Sequence, residues 1–229
     1  LNPPRDLAIL KPGRRRYAMK VSAIVPAFNE AERIGAVLDP LLSSPSVDEV
    51  VVVDDGSSDA TVAAAQGFAV RVVRLPENRG KAAAMAAGVA ATRGELLLFL
   101  DADLTGLTPA HVEEMIGAYR EGDTDVVIAV FWDGRLGTDL SQRVAPFMSG
   151  QRVMSRVHWE RARGAVEDTE FGIETALMRL AAKEGWRKKK VILRGVGHVR
   201  KEEKRGFWPG LADRMAMYWD VARSFFRRL

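Results

Sequence analysis

Glu95-Leu96-Leu97-Leu98-Phe99-Leu100-Asp101-Ala102-Asp103 is the stretch whose reading decides the fold. An apolar run stops abruptly at two carboxylates around one small residue. A strand buried on both faces reads as such a run, and open α/β sheets bind ligands at the carboxyl ends of their strands. Turns favour Asp, so Asp-x-Asp alone is a weak signal. The same pair of carboxylates suits Mg²⁺ or Mn²⁺, which are commonly held by one or two carboxylates plus substrate phosphates. What precedes the stretch decides between these readings.

Working outward, residues 21–25 form a short apolar strand closed by Pro26. Asn29 with Glu32 reads as a capping box, and Ile34, Val37, Leu38, Leu41 and Leu42 recur at helical spacing. Residues 49–53 are a second strand, nearly all valine. Gly56-Ser57-Ser58 turns into a short helix over 59–66, and 69–74 is a third strand. Residues 81–92 are an Ala-rich helix able to approach a sheet closely, ended by Gly94. After Asp103, Pro109 starts another helix, and 125–130 is a fifth strand. Strand and helix alternate four times at crossover spacing, which predicts an α/β fold with a mostly parallel, doubly wound, Rossmann-like sheet flanked by helices. Residues 139–184 read as mostly helical. Residues 188–193 read as a strand whose basic side chains face water. Residues 208–229 read as an amphipathic helix, with Leu211, Met215, Tyr218, Trp219, Phe225 and Phe226 on its apolar stripe.

The sequence has 229 residues, 47% of them hydrophobic, enough for one sizeable core. It has no cysteine, which excludes disulfides, thiolate catalysis and cysteine-ligated zinc. Residues 1–18 are rich in Pro and Arg and read as a loose extension without an apolar signal core. Net charge is only +4, but it is unevenly spread. Residues 21–140 carry 8 basic and 19 acidic side chains, whereas 183–229 carry 14 basic and 5 acidic. The acidic half suits a metal site, and the basic tail suits phosphates, nucleic acid or an anionic membrane surface, or is simply a solvated charged face.

Four loops follow four successive strands: Pro26-Ala27-Phe28-Asn29-Glu30, Asp54-Asp55-Gly56-Ser57-Ser58-Asp59, Glu77-Asn78-Arg79-Gly80-Lys81 and Asp101-Ala102-Asp103. In a parallel sheet they share one edge. This combination resembles the nucleotide-sugar half of the family 2 glycosyltransferases with the GT-A fold, strongly over residues 19–130 and more weakly to about 205. The resemblance implies a GT-A catalytic domain over 19–205, divided into a nucleotide-sugar half (19–130) and an acceptor half (131–205). A basic amphipathic helix over 206–229 would follow.

It also implies roles. Pro26, Ala27, Phe28 and Glu30 would line the nucleotide pocket, with Phe28 either on the base or ribose or in the core. Asp55 would accept a base N–H, while Asp54 orders the turn. Lys81, at a helix start, would reach the diphosphate, since a lysine there opposes the helix dipole unless an anion is bound. Asp101 would contact ribose or a metal-bound water, Ala102 would let the nucleotide approach, and Asp103 would ligate the metal, with His198 as a further ligand. Phe147-Met148-Ser149-Gly150-Gln151-Arg152 and Phe171-Gly172-Ile173-Glu174 resemble segments of relatives that make polyprenyl-phosphate sugars or glucosyl-phosphoglycerate. On that basis Gly150, Gln151 and Arg152 would bind the acceptor, Arg152 otherwise being a helix-surface arginine. Arg152, Glu174 and Asp168 are the catalytic candidates, and Glu170 is a rival acid.

The expected activity is metal-dependent transfer of a sugar from a UDP- or GDP-linked donor, with Mg²⁺ or Mn²⁺ as cofactor. The acceptor would be a lipid or polyprenyl phosphate at a membrane surface, or else a small soluble phosphorylated molecule such as a phosphoglycerate. The expected setting is cytoplasmic, peripheral on the inner face of the cell membrane, without nucleic acid and with a homodimer as one option for the final helix. A nucleotidyltransferase would show a Gly-rich phosphate loop after the first strand. A noncatalytic binding module has no need of Lys81, Asp101 and Asp103 together.

Overall fold

The computed structural model describes residues 18–132, 149–167 and 173–198. The extension at 1–17, Asp168, Glu170 and the helix expected over 206–229 lie outside the described residues. A seven-stranded sheet runs in the order β3-β2-β1-β4-β7-β6-β8. Its strands are β1 (Val21–Ala27), β2 (Glu49–Asp54), β3 (Arg71–Arg74), β4 (Leu96–Phe99), β6 (Val126–Trp132), β7 (Arg152–Ser155) and β8 (Lys188–Arg194). Strand β7 runs antiparallel to both its neighbours, and every other pairing in the sheet is parallel. A two-residue ladder joins β5 (Leu104–Thr105) to β9 (Gly197–His198).

The central strands are valine- and leucine-rich because both their faces are covered. Helices α1 (Gly35–Leu42), α2 (Thr61–Gln66) and α4 (Pro109–Glu121) cover one face, burying Val25, Leu38, Leu98, Val112 and Ile116 together. Helices α3 (Lys81–Ala91), α5 (Arg156–Glu167) and α6 (Ile173–Lys183) cover the other, over Ile24, Val53, Met85, Phe99 and Leu177. There Trp159 stacks on Phe99 at 5.0 Å between ring centroids. The alanines of α3 allow the close approach expected of them. A Cβ on Gly88 would strike Ile24 and come within 3.1 Å of Val53.

Two local expectations fail for physical reasons. Asn29 caps no helix: it adopts φ 56°, an αL conformation that Asn tolerates. Its Oδ1 accepts from the Ser58 N–H at 2.9 Å instead, and α1 begins only at Gly35. The segment expected to be mostly helical contains β7 in mid-sheet. Its four residues leave no room for strand alternation to show in the sequence. Strand β8 does expose Lys188, Lys189 and Lys190, and it is the last strand of the sheet.

Candidate active site

Strands β1, β2 and β4 are parallel, so their carboxyl ends deliver three loops to one edge, and the loop after β3 joins them. These loops are sewn together. Asp55 donates its N–H to the Ala27 carbonyl at 2.8 Å. Asn29 N–H donates to Ser57 Oγ at 2.9 Å, and Glu30 N–H to Thr61 Oγ1 at 2.8 Å. The Asp55 carboxylate accepts from the backbone N–H groups of Arg79 and Gly80, both at 2.8 Å. Gly56, at φ +73°, lies against the Glu77–Asn78 backbone, where a Cβ would come within 2.6 Å of a carbonyl carbon. Asp54 is fully buried, accepts from Ser57 N–H at 3.3 Å and meets Arg74 at 3.6 Å, consistent with a turn-ordering part.

The loops enclose a cavity of about 370 Å³. Pro26, Ala27, Phe28, Glu30, Asp55, Lys81, Asp101 and Ala102 all line it, together with Asp103. Phe28 is 41% exposed at its rim, so the core alternative for this ring does not hold. Glu30 is nearly buried and pairs with Arg33 at 3.2 Å.

Two of the lining residues, Lys81 and Asp101, belong to a cluster of four charged side chains. Lys81 Nζ sits 2.7 Å from Asp101 Oδ1 and 2.8 Å from Glu174 Oε1. The guanidinium of Arg152 is buried on the same side and acts on both carboxylates. Burial disfavours the Lys81 charge, but Asp101 and Glu174 outweigh it and raise the ammonium pKa above its ordinary range. Burial likewise disfavours the Glu174 charge, yet Lys81 and Arg152 outweigh it and hold the carboxyl below its ordinary 4.5. For Arg152 burial wins, lowering its pKa against the pull of the two acids. The main chain of Gly150 passes directly over this cluster. A Cβ there would collide with Lys81 Nζ and lie 2.9 Å from both Asp101 carboxylate oxygens.

The acceptor-side residues differ from expectation in placement. Arg152 belongs to β7, is 3% exposed and donates to the Ser149 carbonyl at 2.6 Å, so the helix-surface alternative fails. Gln151 is fully buried, its Oε1 accepting from Ser149 Oγ at 2.7 Å. Among the described residues, Gln151 Nε2 and Arg152 Nε have no hydrogen-bond partner. The β5–β9 ladder sets His198 opposite Leu104, the residue after Asp103. No group of three or more His, Cys, Asp or Glu among the described residues forms a closed metal cage. An open pair of carboxylates that leaves positions for substrate oxygens still fits a divalent cation. Sequence reasoning gave no role to Thr61 or to the Arg79 and Gly80 backbone. Spacing carries no trace of those loop-to-loop bonds.

The model of the family described as Glycosyl transferase family 2 matches residues 22–184. The chain belongs to this family. Among curated family relatives, the chain is 30% identical over 150 residues to a dodecaprenyl-phosphate galacturonate synthase of Rhizobium johnstonii, covering 61% of this chain and 44% of the relative. It is 43% identical over 102 residues to a dolichyl-phosphate beta-glucosyltransferase of Drosophila melanogaster, covering 38% and 31%. The chain thus spans less than half the length of these relatives. A crystal structure of glucosyl-3-phosphoglycerate synthase from Mycobacterium tuberculosis, with Mn²⁺, UDP and glucosyl-3-phosphoglycerate, superposes with a TM-score of 0.64. The identity is 26%, over 83% of this chain and 76% of that one. The family and these neighbours bear out the expected GT-A architecture.

Proposed function

We propose that this chain is a metal-dependent glycosyltransferase that moves a sugar from a nucleotide-diphosphate donor to a phosphorylated acceptor, with a lipid or polyprenyl phosphate as that acceptor. The observation that carries the reading is one cavity lined from four strand-end loops, with Asp101 and Asp103 in its wall and Lys81 tying it to a four-charge cluster. The named activities of the family relatives support it.

Asp55 sits where it can accept a base N–H through lone pairs left by its two backbone bonds. Phe28 offers a ring face to base or ribose. Asp103 would hold Mg²⁺ or Mn²⁺, with His198 as a further ligand and Asp101 on ribose or a metal-bound water, and the cation would supply Lewis-acid stabilisation of the departing diphosphate. Lys81 adds a positive charge beside that diphosphate. Glu174, ionised at neutral pH, accepts hydroxyl hydrogen bonds from the donor sugar. Gly150 brings bare main chain to the same point. Arg152 keeps two neighbouring carboxylates charged, and Asp168 remains a candidate base for a hydroxyl acceptor. A phosphate acceptor is already ionised and needs no base.

The likeness to the mycobacterial synthase supports a second reading, a small soluble acceptor such as a phosphoglycerate. The deciding experiment supplies labelled UDP- and GDP-sugars with Mn²⁺ and either polyprenyl phosphate in detergent or phosphoglycerate. Transfer to the former is expected. Transfer only to the latter selects the second reading, and transfer to neither refutes both. Calorimetry of Asp103→Ala should show nucleotide-diphosphate binding that no longer responds to Mn²⁺. An unchanged response removes Asp103 from the metal.

The setting follows from the acceptor: a cytoplasmic enzyme working against the inner face of the membrane. Among the described residues no helix is long and apolar enough to cross a membrane.

A further inference from the structure

Strand β8 forms one edge of the sheet, and no described strand pairs with its outer side. The two-residue period of a strand puts Lys188, Lys190, Ile192 and Arg194 on one face. All four are exposed, Ile192 by 48%. Residues 183–194 contain six basic side chains and one acidic one. Arg187, just before the strand, pairs with Asp123 and Asp125. At about 3.3 Å per residue the three cations span roughly 20 Å of the edge.

The position of this strip matters. Strand β8 runs parallel to β6, and β6 in turn runs parallel to β4, so Arg194 lies at the sheet edge that carries the cavity. Two strand steps, about 10 Å, separate β8 from β7, which begins just after Gly150. The strip therefore flanks the acceptor side of the site, away from the loops of β1 and β2. Lysines on an edge strand also deter pairing with other chains, but that duty does not call for an exposed isoleucine between cations. A single-stranded nucleic acid would want aromatic rings to stack its bases, and β8 has none.

The geometry points to β8 as a docking strip for an anionic lipid surface. Lys188, Lys190 and Arg194 meet headgroup phosphates, their aliphatic stems lying along the interface, and Ile192 enters it. This inference rests on the reading that the acceptor is a lipid phosphate, but its test does not use transfer.

The test measures co-sedimentation of the full chain with vesicles of phosphatidylcholine, with and without phosphatidylglycerol. Each cation near an anionic surface is worth about fivefold in partitioning, so K188Q/K190Q/R194Q should weaken binding to the anionic vesicles by about a hundredfold. I192S should weaken it further. A charge-matched control, K20Q/R71Q/R93Q, removes exposed cations elsewhere and should change binding far less. Equal loss in both triples would mean that only net charge matters, and would overturn the proposal. So would full binding by the strip variant, or charge-dependent binding to single-stranded DNA without binding to vesicles. Hydrogen exchange on the unmodified chain is an independent check should the triple fail to fold. Vesicles should slow exchange at 188–194, and protection confined to other segments overturns the assignment.

Discussion

Replacing Gly150 with alanine tests the charge cluster more sharply than removing any of its charges. The new Cβ would lie 2.9 Å from both Asp101 carboxylate oxygens and on top of the Lys81 ammonium. Optimal non-bonded separations are about 3.5–4.0 Å, so something must move by more than half an ångström. The Gly150 chain leads straight into β7, paired on both sides, so the ion pair must yield rather than the strand. Overpacking of this kind costs about 1–3 kcal/mol, and each 1.36 kcal/mol lost in the transition state is about tenfold in rate. The expected result is a fall in kcat/KM for sugar transfer of about ten- to a hundredfold. Affinity for the free nucleoside diphosphate should fall by a smaller factor, because Lys81 and Asp101 are displaced while Phe28, Asp55 and Asp103 lie on other loops. Steady-state kinetics and calorimetry with UDP and GDP separate the two effects. Unchanged transfer together with an unchanged unfolding midpoint would falsify the placement of Gly150 over the cluster. A loss of nucleotide affinity as large as the loss in kcat/KM would show that the cluster acts only through nucleotide binding.

Other expectations follow from the same structure. Gly164 lies in α5 with no atom within 4 Å of a Cβ built on it, so Gly164→Ala should raise stability by about 0.4–1 kcal/mol, read as a higher Tm. Asp55→Ala strands two backbone donors of the Arg79–Gly80 loop and should cost about 2–4 kcal/mol in urea unfolding, as well as nucleotide affinity; a silent variant would refute the loop-anchoring role. Glu174 has a folded pKa below its ordinary 4.5, so its stabilisation is fully present above about pH 4.5 and is lost as pH falls through the folded value. Lys81 has a folded pKa above its ordinary 10.5, so its contribution is complete below about pH 10.5 and is lost as pH rises through the folded value. The stability gap between the native chain and Glu174→Gln should thus hold steady between these limits and shrink on the acid side. A gap that grows on acidification would reverse the assignment.

Most of the fold up to residue 130 is legible in the sequence because its central strands β1, β2 and β4 are buried on both faces. Residues 49–54 and 95–100 have no alternation to misread, and at each an apolar run gives way abruptly to a pair of carboxylates. Strand β7 is hidden for the opposite reason. Arg152 and Ser155 look like helix or loop residues, and only the neighbouring β4 and β6 make a strand of them. Asn29 is hidden too: Asn before a helix suits either a cap or an αL turn, and it is Ser57 and Ser58, on another loop, that select the turn.

The cluster shows how far local reasoning reaches. Lysine at the first position of α3 opposes the helix dipole, which in sequence signals a missing anion. The signal is sound, but the structure supplies the anions from the chain itself: Asp101 from the end of β4, and Glu174 from the start of α6, 93 residues away. Lys81 therefore joins an acid of the Asp-x-Asp pair to the start of α6 before any ligand is considered. A diphosphate arriving beside Lys81 would compete with both carboxylates for one ammonium. Arg152, buried behind them, keeps those carboxylates charged if Lys81 turns toward the ligand. That arrangement makes Arg152→Met a more damaging change than its distance from the cavity lining suggests: it would leave two half-buried acids to share a single cation. It should raise the pH at which transfer activity falls on the acid side, and a pH–rate profile superimposable on that of the native chain would show that Arg152 does not support the two acids.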